Sequence, residues 1–249
     1  MNPQTQQCLA KFKPHFENVT EVMEAAFREL EANVPAPVPI RYMLQWVPRY
    51  KEKSAQQAII QKLARYISGL NALTILLSHG YGQEQGVLQR TLDEIGEDIM
   101  FLMLPSQNTT DEDLKSRYLK AFYQEEFEEG VAPIDSKLRR DQIPRRKIRA
   151  FLERQTPGMV DNASSVMSRT YSGFVHSASP HIMDMCDRSG RFQVKGDLHP
   201  GIMISHIEDA WNYYYRGLMT TAGIATHFGK RALYGSLTVE LKSFEKLQP

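Results

Sequence analysis

Apolar residues recur at spacings of three and four along most of this chain, the period of a helix buried on one side. Phe16, Val19, Met23, Ala26, Phe27 and Leu30 predict an amphipathic helix from about His15 to Ala32. Pro35, Pro37 and Pro39 stop it, because alternate prolines cannot supply the N–H groups of a helical ladder. Ser54 to Ser78 predicts a second helix whose wide apolar face (Ile59, Leu63, Ile67, Leu70, Leu77) makes it central, with Gly80 and Gly82 as its end signal. Gln83 to Leu104 predicts a third, bounded by Pro105. Thr110 with Asp113 resembles a capping box and predicts a fourth helix to about Glu129, before Gly130. Pro144 suits the first turn of a short basic helix to about Arg154. Further helices are predicted over Met159–Val175, from Pro180, over Gly201–His227 and over Lys230–Lys246. Arg191 to Lys195 alternates weakly and reads as an isolated strand or hairpin.

No βαβ alternation appears, so the expected fold is all-α: an antiparallel helical bundle in a single domain, residues 1–249. Within it, residues 1–50 read as an N-terminal helix and a Pro-rich connection. Residues 54–228 read as the core bundle and 230–249 as a closing helix. The run Trp211, Tyr213, Tyr214 and Tyr215 falls on one helix, so its members point in different directions and read as core.

Charge changes this picture in one place. The chain of 249 residues carries 30 Lys+Arg and 29 Asp+Glu, a net +1, which excludes a globally basic binder. The total hides a split: residues 1–136 are at −6 and residues 137–249 at +7. Most of the excess lies in Lys137 to Arg154, a +6 segment that includes Arg145, Arg146, Lys147 and Arg149. These four are the candidate nucleic-acid contacts, since a polyanion backbone is held by such cations. The other outcome is neutralisation by the acidic stretch over residues 111–129. Cys8 and Cys186 make neither a disulfide framework nor a zinc site. With no apolar leader and no membrane-length apolar stretch, a reducing cytoplasm is the expected compartment.

Three constellations could carry chemistry. Arg169, Ser172 and His176 share a stripe, since seven helical residues turn through about 700°. A guanidinium offers a fork of donors for a phosphate, and an imidazole exchanges a proton near neutral pH. Arg169 and His176 are therefore the candidate catalytic pair, acting on RNA without a metal, with Ser172 beside them. The structural alternative for His176 is packing at a helix interface. Arg90, Glu94 and Asp98 stand at i, i+4 spacing, either as a solvated ion-pair ladder or as a buried polar site, and Arg90 and Glu94 are candidate supporting or pocket residues. His176, His181, Asp184 and Asp187 lie close in sequence. No histidine has Glu three residues before it, so the di-iron bundle signature is missing and no metal or cofactor is expected.

Leu88-Gln-Arg90-Thr-Leu-Asp-Glu94 and Ser172-Gly-Phe-Val175-His176-Ser177 together resemble a group of uncharacterised bacterial all-helical proteins with an S-x-x-V-H motif. The likeness covers roughly residues 55–228. More distantly, Arg169 and His176 resemble the Arg-x4–6-His motif of the HEPN superfamily. That resemblance implies a metal-independent endoribonuclease in bacterial defence or toxin–antitoxin function. Its active pair would meet at a homodimer interface, with Arg169 on phosphate and His176 as acid or base. Two other readings stay open: a non-enzymatic interaction protein with a buried polar network, and a small-molecule-binding bundle.

Overall fold

The computed structural model describes residues 1–155, 170–196 and 198–249. Asn2 opens the first helix, α1 (Pro3–Glu31), by accepting a hydrogen bond from the Gln4 amide, and Pro3 fits the first turn. α1 thus begins more than three turns before the expected His15. Pro14 lies inside it and removes one N–H. Leu9, Phe12 and Phe16 nonetheless stay on one buried stripe, and that packing carries the helix through.

A two-stranded antiparallel hairpin follows, β1 (Val38–Tyr42) and β2 (Gln45–Arg49). It replaces the Pro-rich connection expected there. Its prolines, Pro39 and Pro48, face each other across the ladder, where a missing N–H can be tolerated on exposed edges. Tyr42 and Arg49 dock the hairpin. The Tyr42 hydroxyl donates to the Phe127 carbonyl at 2.9 Å and accepts from the Phe127 amide at 3.1 Å, and Arg49 pairs with Glu125 at 2.6 Å.

α2 (Ala55–Ser78) starts at a reciprocal capping box between Ser54 and Gln57 and ends at Gly80, whose φ of +78° suits glycine. α3 (Gly82–Met103) returns beside it. α4 (Thr109–Phe122) is capped by Asn108 rather than Thr110, with the Asn108 side chain accepting from the Asp111 amide at 3.0 Å. It stops seven residues short of Glu129, because residues 124–129 offer only Phe127 as an apolar anchor and are held by the hairpin. Asn108→Ala is expected to cost about 1 kcal/mol in a urea unfolding titration, the usual value of such a cap.

α5 (Arg145–Gln155) packs on α3 through Ile148, Phe151 and Leu152. Residues 170–175 are helical and are called α6; the rest of the helix expected over Met159–Val175 lies outside the described residues. α7 (Ser179–Met183) begins near Pro180 as expected. In the loop after it, isolated bridges join Cys186 to Phe192 and Val194 to Gly196, where a strand or hairpin was expected.

α8 (Pro200–His227) is the central element, in contact with α1, α2, α3 and α9 (Arg231–Glu245). The aromatic run fills the core. Tyr214 stacks on Phe16 with centroids 4.2 Å apart, and Trp211 stacks on Phe244 at 5.4 Å. The buried Tyr214 hydroxyl donates to the Leu70 carbonyl at 2.8 Å, and the Tyr66 hydroxyl donates to the Tyr213 carbonyl at 3.1 Å. The chain is an all-α bundle with one small hairpin. Among the described residues no helix is long and apolar enough to cross a membrane.

Candidate functional site

The first candidate residues sit on α6, and two aromatic side chains hold that segment in place. Tyr171 is buried edge-on to Tyr213, with centroids 6.0 Å apart. Phe174 lies against His181 at 4.3 Å and His206 at 5.7 Å. Its ring also covers Gly86, where a Cβ would come within 2.6 Å. Only glycine admits this approach of α6 to α3. Ser172 and His176 lie away from these anchors: Ser172 is half-buried and His176 exposed. The His176 amide donates to the Ser172 carbonyl at 3.0 Å, and Ser177, with a φ of +50°, turns the chain toward α7. Among the described residues the His176 imidazole has no partner. Arg169 lies outside the described residues, so its geometry toward His176 is not described.

The second group is on α3. Arg90 pairs with Glu94 at 2.8 Å, the i, i+4 contact read from the sequence. Asp98 is buried and does not extend that ladder. It accepts from Lys62 of α2 at 2.7 Å and from both terminal nitrogens of Arg145 of α5 at 2.5 and 3.1 Å. Arg149 donates to Glu97 at 2.8 Å. Burial opposes ionisation of Asp98, but the Arg145 hydrogen bonds and the Lys62 charge outweigh it and hold its carboxyl below the ordinary range.

The four candidate nucleic-acid cations are thereby split. Arg145 and Arg149 turn inward onto α3, whereas Arg146 and Lys147 are exposed and without ion pairs among the described residues. Elsewhere in the basic segment, Arg154 pairs with Asp111 at 2.7 Å and Arg140 with Glu126 at 3.2 Å. Neutralisation therefore comes partly from the acidic stretch 111–129, as anticipated, and partly from α3, which was not.

A third cluster, between α3 and α8, escaped sequence reading. Asp93 accepts from Arg216 at 2.8 Å and from the Tyr213 hydroxyl at 3.1 Å, and the Arg216 guanidinium lies over the Tyr213 ring at 4.3 Å. Burial raises the Asp93 carboxyl, and Arg216 counters that rise. Gln85 donates to the His206 carbonyl at 2.9 Å. The Gln89 amide, Arg90 Nη1 and Arg216 Nη2 are buried without hydrogen-bond partners among the described residues. Ordered water ordinarily meets such groups. The i, i+4 row Gln85, Gln89, Asp93 was the available signal, since three polar residues on one stripe of an apolar helix imply a polar seam.

Clefts of about 570, 500 and 610 Å³ open on the surface, and none is lined by Arg90, Glu94 or His176. Among the described residues no group of three His, Cys, Asp or Glu side chains could hold a metal ion. Asp187, near His181 in sequence, instead accepts from Ser189, Gln193 and the Arg191 amide within its own loop. No protein-family model matches the chain, and no curated protein or solved structure is significantly similar to it.

Proposed function

We propose that this chain is a HEPN-like protein that binds and cleaves RNA without a metal. It acts as a cytoplasmic homodimer in bacterial defence or a toxin–antitoxin pair. The observation that carries the reading is the setting of His176. The imidazole is exposed at the end of a segment anchored by Tyr171 and Phe174, and Val175, Met183, Phe192 and Val194 are exposed around it in the sequence. In this reading the exposed apolar side chains along residues 175–194 belong to a contact face for a second copy. A second copy seated there brings two copies of His176 to one groove. In this reading His176 takes the proton from a ribose 2′-hydroxyl, whose oxygen attacks phosphorus. The 5′-oxygen then leaves with that proton, giving a 2′,3′-cyclic phosphate and a 5′-hydroxyl. Arg169 holds the phosphate charge, with Ser172 beside the pair. Arg146 and Lys147 are the cations free to meet the backbone, while Arg145 and Arg149 serve the fold.

The test uses a labelled single-stranded RNA and the whole chain. Arg169→Ala and His176→Ala are each expected to abolish cleavage. Cleavage by both variants at the native rate overturns the reading. Because His176 is exposed, its removal is expected to leave Tm within about 2 °C of the native value. The engagement of Arg145 and Arg149 with α3 favours a second reading, a non-enzymatic interaction protein stabilised by its polar network. Absence of any RNA cleavage or RNA binding by the native chain selects that one.

A further inference from the structure

The hairpin has two unlike faces. Val38, Tyr42, Val47 and Arg49 point inward and are half-buried, whereas Pro39, Arg41, Trp46 and Pro48 point outward and are exposed. Trp46 is 73% exposed, and its direct cross-strand neighbour on that face is Arg41. At the tip, Met43 takes a φ of +53° and Leu44 is 92% exposed. Lys51 and Lys53 follow β2 at once and are also exposed. None of Arg41, Lys51 and Lys53 has a carboxylate within ion-pair distance among the described residues. The neighbouring Glu52 carboxylate accepts from Gln57 at 2.7 Å. The indole is held in water with Arg41 across the ladder, and Lys51 and Lys53 follow along the chain, where their charges also act on Glu52 and Glu125.

We infer that the outer face of this hairpin binds single-stranded nucleic acid, with one base stacked on Trp46 and phosphates met by Arg41, Lys51 and Lys53. The chemistry selects this occupant in three ways. Every base offers a π-face to an aromatic platform, so stacking needs no complementary pocket. The cations are of one sign, which suits a polyanion backbone. Pro39 and Pro48 stand opposite each other and leave neither strand an outward N–H at that position, which opposes strand addition by another protein. Contact is left to side chains on the face.

This inference goes beyond the His176 reading and stands separately from it. The hairpin docks on residues 125–127, whereas α6 packs against Gly86 near the start of α3.

The chain supplies its own reporter. It has two tryptophans, and Trp211 is buried between Tyr215 and Phe244. Titration of the whole protein with a ten-residue oligouridylate at low salt is expected to quench Trp46 fluorescence saturably, with an affinity that falls as salt rises. Fluorescein-labelled oligouridylate, read by anisotropy, then tests the variants. Trp46→Ala and the triple variant Arg41→Gln/Lys51→Gln/Lys53→Gln are each expected to weaken binding by about 10-fold or more. Native melting curves for both keep the comparison clean, since all four side chains are exposed.

Native-strength binding by either variant overturns the inference. So does the absence of any Trp46 quenching by oligouridylate, including the case where an apolar peptide quenches it instead. Saturable quenching without RNA cleavage supports the hairpin site while the His176 reading fails. Cleavage that is lost with His176, alongside oligouridylate binding that ignores Trp46, does the reverse.

Discussion

Asp98→Ala is expected to lower stability by about 3–5 kcal/mol and Tm by on the order of 10 °C. Asp98 is the carboxylate on which Lys62 and Arg145 converge, at 2.7 and 2.5 Å, and its side chain is 5% exposed. Removing it leaves Lys62 of α2 without its carboxylate and Arg145 of α5 with only the longer contacts to Glu94 and Glu97, at 3.7 and 3.8 Å. The cost of a broken buried pair lies mostly in that uncompensated charge. Replacing all three groups with apolar residues, as in Lys62→Met/Asp98→Leu/Arg145→Met, is therefore expected to cost much less than Asp98→Ala alone. Thermal melts of the two variants check this, and a triple variant weaker than the single one would show that the network stabilises the native fold. The sign with pH follows from the lowered carboxyl. Its contribution is complete above the unfolded Asp value of about 3.9 and is lost as pH falls through the lower folded value.

That network also shows where sequence reading stops. α2 and α3 were legible nearly to the residue, because long apolar periods run from Ser54 up to Gly80 and from Gln83 up to Pro105. The Arg90–Glu94 contact was legible too, since it lies within one helix. The partners of Asp98 were not, because they come from α2 and α5, and spacing along one helix says nothing about which neighbour faces it. The split of the basic segment was half-visible. Arg145 and Arg149 share a face with Ile148 and Leu152, so the helical period already turns them toward the core. The hairpin was masked by its own prolines, which read as breakers unless they fall at paired edge positions. The first turns of α1 were masked in the same way by Pro14. Every such case turns on tertiary contact overriding a local signal.

The same reasoning makes His206 an acid-sensitive point in the fold. Acidification from pH 6.5 to about 4 is expected to remove about 3 kcal/mol of stability through this residue alone. His206 is buried where α8 meets Gly82, Leu198 and Phe174, and burial pushes its pKa down from 6.5 to about 4. The folded chain therefore keeps the ring neutral while the unfolded chain takes up a proton near pH 6.5. Below that value the unfolded state binds one more proton than the folded state, and stability falls with pH until the folded ring titrates near 4. The Asp98 loss begins lower, so the two windows separate. His227 is also lowered, first by burial and then by the charge of Lys115, and it adds a slope of the same sign. Urea unfolding at pH 7, 5.5 and 4.3 isolates His206 by comparing the native chain with His206→Gln. The variant is expected to lose most of the native slope across that window. An unchanged slope would mean that the ring reaches water in the folded chain. It would also mean that the packing of His206 against Gly82 and Phe174, beside the seat of α6, is looser than the distances imply.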